Sequence, residues 1–186
     1  MAAYVYNIQN HIKFEIPENL QCCNDYEIIW LKLNPPRTPC GFSCTIFGLV
    51  YYPGRTSPAE SDPDILNDHL FESLTLAEAA LPNCGIILTG DFNRLNTSRL
   101  QKHFKLKQLV KFPTRESATL DLFLTNMGDH FATPELYPPF GLSDHCAAFV
   151  RPKERIPNQK TRKSISIRDK RDGNKARPGR YFRNID

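Results

Sequence analysis

One long helical pattern set among short apolar runs limits what this chain can become. From Asp64 to Leu81, the residues Ile65, Leu66, Leu70, Leu74 and Ala77 recur at helical spacing. Acids crowd the first turns, where they oppose the helix dipole, and Pro82-Asn83 stops the pattern. Runs rich in β-branched and aromatic residues flank it and read as strands: Ala3 to Asn7, Ile12 to Ile16, Tyr26 to Leu33, Ser43 to Tyr51 and Ile86 to Thr89. Asn34-Pro35-Pro36 breaks the third of these, and Pro53 to Asp62 is a polar loop. Further on, Asn96-Thr97-Ser98 offers a cap for a short helix through about His103. Strands follow near Leu109 to Phe112, Leu120 to Thr125 and Cys146 to Val150. This is the pattern of a mixed α/β (α+β) fold, and 186 residues are enough to bury a core of its own.

Charge divides the chain more sharply than hydropathy does. Residues 151–186 hold thirteen Lys and Arg against four acids, a net of +9, so a chain total of +4 leaves residues 1–150 at −5. The body is acidic and the tail basic. Pro152, Pro157, Pro178, Gly173 and Gly179 interrupt the tail and apolar residues are few, so it is expected to be a disordered linker or arm beyond a folded domain of residues 1–150. Such an arm suits either a solvated spacer or contact with nucleic-acid phosphates. No apolar run approaches the length of a membrane span, and Met1 to Asn7 lacks a basic stretch followed by an apolar core. No membrane partner is expected, and the expected setting is intracellular, with the nucleus as its refinement.

The six cysteines, Cys22, Cys23, Cys40, Cys44, Cys84 and Cys146, form no paired C-x-x-C set that would suit zinc. Cys84 and Cys146 lie in or beside apolar strands, where a reduced thiol packs as a small hydrophobe. His11, His69, His103 and His130 stand in polar or helix-surface contexts without carboxylate patterns, so exposure is expected for each. Glu72 and Glu78 belong on the solvated face of the helix.

Three segments place acidic or imidazole groups beside a strand: Gly90-Asp91-Phe92-Asn93, Thr119-Leu120-Asp121-Leu122 and Ser143-Asp144-His145. Each alone is a weak signal, and the first is usually an Asx-turn that ends a strand. Together they gather hard carboxylate oxygens, a histidine and an amide donor, which is the set that metal-assisted phosphodiester cleavage uses. An anionic carboxylate can orient and deprotonate water. A neutral amide can stabilise phosphoryl oxygens without adding repulsion. A carboxylate beside a histidine fixes its tautomer and favours the charged ring.

Four ordered segments give these residues a wider context: Gly48 to Pro53, Ile86 to Asn93, Phe112-Pro113-Thr114-Arg115 with Leu120 to Asn126, and Gly141 to Cys146. Over about residues 4 to 150 the chain resembles the endonuclease/exonuclease/phosphatase superfamily, and within it the apurinic-type endonuclease domain of LINE-like non-LTR retrotransposons. The resemblance implies a two-layered β sandwich flanked by helices, of which this chain would hold part. It also implies Mg²⁺-dependent DNA nicking by activated water, with Mn²⁺ as a substitute ion. Asp91 then acts on the attacking water, Asn93 donates to the phosphoryl oxygens, His145 is held by Asp121, and Tyr51 contacts phosphate at the rim. Asp144 and Asp91 are the implied metal carboxylates, and Thr114 and Ser143 are supports. DNA and a reverse transcriptase domain of a parent polyprotein are the implied partners.

The chain also departs from the family. Complete members carry an Asn-bearing and a Glu-bearing strand ahead of these segments, and Glu15, Glu18 and Glu27 stand in the wrong contexts to replace that Glu. The expectation is an N-terminally truncated domain that binds Mg²⁺ weakly and is inactive alone. Two alternatives use the same residues differently: a phosphatase or phosphodiesterase acting on a small or lipid phosphate, and a non-catalytic remnant that binds nucleic acid through its tail.

Overall fold

The computed structural model describes residues 11–13, 26–35, 38–39, 41–53 and 62–153. The strand expected over Ala3 to Asn7, most of the loop before Asp62, Cys22, Cys23, Cys40 and the tail from Glu154 lie outside the described residues. The chain folds as a mixed α/β structure built on six strands in the order β1-β2-β3-β4-β6-β5. These are β1 (His11–Lys13), β2 (Glu27–Leu33), β3 (Thr45–Tyr51), β4 (Gly85–Asp91), β5 (Lys107–Gln108) and β6 (Asp121–Thr125). Among the described residues only β3 and β4 run parallel, because helix α1 (Pro63–Ala80) carries the chain back between them. Every other neighbour in the sheet is antiparallel. A second layer of two strands, β7 (Glu135–Tyr137) and β8 (Ala147–Phe149), completes the partial sandwich.

Helix α1 starts where its capping chemistry dictates. The Asp62 carboxylate accepts from the Asp64 amide at 3.1 Å, and Pro63 occupies the first turn, where no amide hydrogen is needed. Leu66, Leu70, Leu74 and Ala77 are fully buried against the sheet face made by Ile46, Val50, Ile86 and Leu88. Trp30 lies over Gly48 on the same face; a β-carbon at Gly48 would come within 2.8 Å of the indole. The helical wheel corrects two sequence expectations. Ile65 points about 100° away from Leu66 and is 49% exposed. His69, expected on the surface, is 7% exposed and packs its ring 5.3 Å from Tyr26. Burial holds its proton affinity below the usual histidine range. Glu72 and Glu78 are exposed.

The strand expected over Leu109 to Phe112 forms earlier, as β5, and is only two residues long. Side chains interrupt the ladder beyond it. Gln108 accepts from the Phe123 amide and donates to the Val110 carbonyl, while Thr119 donates to the Phe112 carbonyl. Strand β7 and a short 3-10 turn at Gly128–His130 were not foreseen. Phe131 stacks edge-on against Phe123 at 5.3 Å, so this segment packs on the sheet face opposite α1. Among the described residues, Cys44, Cys84 and Cys146 are free thiols, and no helix is long and apolar enough to cross a membrane. Burial and the neighbouring Cys44 push the Cys84 thiol up to about 11.

Candidate active site

Strand register, rather than a loop, brings the first three groups together. Tyr51 of β3 pairs with Asp91 of β4, and Asp91 pairs with Asp121 of β6, so the three stand side by side in one row across adjacent strands. They occupy the face opposite α1, because side chains alternate along a strand and Leu88, three positions before Asp91, faces the helix. The row ends β4 and opens β6. Gly90 makes this crowding feasible. Its φ is +127°, and a β-carbon there would lie 2.0 Å from the Val50 carbonyl oxygen.

After Asp91 the chain turns sharply. The Asp91 carboxylate accepts from the Asn93 amide at 2.9 Å, an Asx-turn with Asn93 at φ 47°. The Asn93 side-chain amide donates to the Tyr52 carbonyl, which leaves its second hydrogen for another acceptor. Phe92, fully buried, pins the turn, and its amide donates to the Leu120 carbonyl at 2.9 Å. Burial pushes the Asp91 carboxyl above the usual range; the Asn93 amide works against this, nearby Asp121 reinforces it, and His145 and Arg115 oppose it. A carboxylate held in this way is a stronger base than an exposed one.

His145 arrives from the chain just before β8. Its Nδ1 lies 2.8 Å from the Asp121 carboxylate, with both side chains largely shielded, so Nε2 is the nitrogen outside that pair. Ser143 Oγ accepts from the His145 amide at 3.1 Å and shapes the approach. Thr114 is the support beneath. Its buried hydroxyl accepts from the Leu120 and Asp121 amides at 3.1 Å each, and its carbonyl accepts from the Cys146 amide at 2.7 Å. One residue thus ties the strand that carries Asp121 to the segment that carries His145.

Asp144 stands apart from this row. Its carboxylate is paired with the Arg115 guanidinium at 2.7 Å, with the two side chains 65% and 44% exposed. A pair this open contributes at most about 1 kcal/mol. In the sequence Arg115 is only the last residue of the Phe112-Pro113-Thr114-Arg115 segment; a tight hairpin, bridged from Arg115 to Ala118, places it beside Asp144. A cavity of about 510 Å³ opens beside these groups, lined by Tyr52, Pro53, Asn93, Arg94, Arg115 and Leu120 among others. A smaller one of about 190 Å³ is bounded by Asp121, Thr89, Cys146 and β8.

Among the described residues, no group of three or more His, Cys, Asp or Glu side chains is arranged to hold a metal ion. Asp91 spends one oxygen on the Asn93 amide, Asp121 faces His145, and Asp144 faces Arg115. These donors do not fit a closed divalent-cation site.

No protein-family model and no curated protein matches the chain. One solved structure is similar. It is the endonuclease domain of TRAS1, a telomere-specific non-LTR retrotransposon, at 16% identity and a TM-score of 0.44, covering 78% of this chain and 69% of that one.

Proposed function

We propose that this chain carries the phosphodiester-cleaving site of a retrotransposon-type DNA endonuclease. The observation that supports it most is the Tyr51–Asp91–Asp121 row with His145 Nδ1 2.8 Å from Asp121. Asp91 orients an attacking water and takes its proton, a role suited to a carboxyl whose proton affinity burial has raised. The free hydrogen of the Asn93 amide and Nε2 of His145 donate to phosphoryl oxygens, and His145 can pass a proton to the leaving oxygen. Tyr51, 40% exposed, offers its hydroxyl at the rim. Thr114 and Ser143 hold the geometry. DNA is the substrate that fits the motif order and the basic tail, and a reverse transcriptase domain is the fitting companion.

Mg²⁺ (or Mn²⁺) is the ion such a reaction calls for, yet the described donors do not fit it. Asp91 and Asp144 are the carboxylates that the family resemblance assigns to it. We therefore propose that the chain nicks DNA slowly and only at high Mg²⁺. Nicking of supercoiled plasmid by the purified chain, beside Asp91→Ala and His145→Ala, tests both parts. The expected result is weak nicking that keeps rising through the millimolar Mg²⁺ range and is lost in both variants. Equal nicking by the variants contradicts the site; saturation at micromolar Mg²⁺ contradicts the incomplete donor set.

A further inference from the structure

Arg115 has a fixed root and a free head. Its amide donates to the Ala118 carbonyl at 3.1 Å and the Ala118 amide donates back at 2.8 Å, closing a two-residue turn with Glu116 at φ 51°. Thr114, immediately before it, is fully buried and hydrogen-bonded on both sides. The Arg115 side chain, by contrast, is 44% exposed, the residue lines the large cavity with Asn93, and its ion-pair partner is an exposed carboxylate. Its charge also reaches Asp91.

A phosphate approaching Arg115 meets the carboxylate of Asp144, its ion-pair partner, and the field of the adjacent pair Asp91 and Asp121. They repel it. Arg115 pairs with Asp144 and lines the cavity, as Arg94 also does, and a guanidinium matches the two non-bridging oxygens of a phosphodiester in the same forked geometry with which it holds a carboxylate. Exposed ion pairs are weak enough to exchange partners.

Resting on the phosphodiester reading above, we infer that Arg115 is a two-position phosphate clamp. In the free protein it is parked on Asp144; when substrate enters, the guanidinium transfers to the non-bridging phosphate oxygens. Asp144 is then an internal competitor for the same head group. This assigns Asp144 a function that requires no metal, and it makes Arg115 a substrate-binding residue.

The test is binding of a dinucleoside monophosphate, thymidylyl-thymidine, to the full chain in the presence of a chelator, followed by amide NMR shifts of Gly90, Asn93 and Asp121. Arg115→Ala should weaken binding about tenfold, and Arg115→Lys should restore part of it, since an ammonium supplies the charge without the fork. Asp144→Asn should tighten binding several-fold by freeing the guanidinium. In the Arg115→Ala background that gain should largely vanish. A weakening by Asp144→Asn, or an equal gain with and without Arg115, overturns the clamp. If the ligand shifts the three amides with the same affinity in all variants, the clamp fails while the site stands. If it shifts none of them, the phosphodiester reading fails and the clamp with it.

Discussion

The two halves of the candidate site are built differently. Asp91 and Asp121 stand on neighbouring strands whose surroundings, Leu88, Phe92 and Leu124, are fully buried. His145 and Asp144 come from a segment where Phe140 is 78% exposed and Leu142 wholly so. The first half is located by a packed sheet. The second is located by a few polar contacts: the Cys146 amide to Thr114, His145 to Asp121 and Asp144 to Arg115. Groups set by a packed sheet are held rigidly, while groups set by a few exposed polar contacts can adjust.

The contrast can be broken by stability measurements. Phe92→Ala should cost about 3 to 5 kcal/mol, because a closed core leaves a cavity, whereas Leu142→Ala should stay within about 0.5 kcal/mol. Urea unfolding checks both, and comparable losses would mean that the loop is packed as tightly as the sheet. Thr114→Val keeps the shape and removes the hydroxyl that serves the Leu120 and Asp121 amides. It should cost about 1 to 3 kcal/mol for each orphaned amide. It should also lower activity, since Asp121 loses its anchor; a stable, fully active Thr114→Val protein would remove Thr114 from the account.

Acid should act next. The unfolded chain takes up a proton at His69 as pH falls through about 6.5, while the folded chain resists it because burial lowers the folded value. Stability at this residue is therefore present above about 6.5 and lost as pH falls toward the folded value. Urea midpoints at pH 7.5 and 5.5 should fall less in His69→Phe than in the parent chain; an identical fall means that His69 is not the group responsible. The smallest effect is at Asp91. Its folded proton affinity is raised, so its charge costs stability at neutral pH. Asp91→Asn, which can still accept from the Asn93 amide, should raise the melting temperature slightly while removing activity. A lower melting temperature would place the carboxylate in a favourable, not a strained, setting.

Much of the framework was legible because its signals are local. The acids of the first turns, the apolar period and the Pro82-Asn83 stop defined α1 to within a residue at each end, and β2, β3, β4, β6 and β8 appear where β-branched and aromatic runs placed them. What local signals could not carry was pairing. The row Tyr51–Asp91–Asp121 depends on register across β3, β4 and β6, and nothing in the separate segments specifies it. Arg115 was missed for the same reason, since its partner is 29 residues away and only the hairpin at Ala118 turns it there. His69 was misplaced because its polar ring outweighed its position on the helix. One edge of the α1 face accepts an imidazole beside Tyr26, and the helical period pointed there.

The central claim is that the sheet row and the loop histidine act as one unit. It is tested most directly by a double-mutant cycle of Asp121→Ala and His145→Ala, read as hydrolysis of the activated diester bis(p-nitrophenyl) phosphate. Each single variant should lose about 10²-fold in rate, the scale of a displaced proton-transfer group, and the double variant should lose little more than either alone. Losses that multiply in the double variant would show two independent groups and contradict the account.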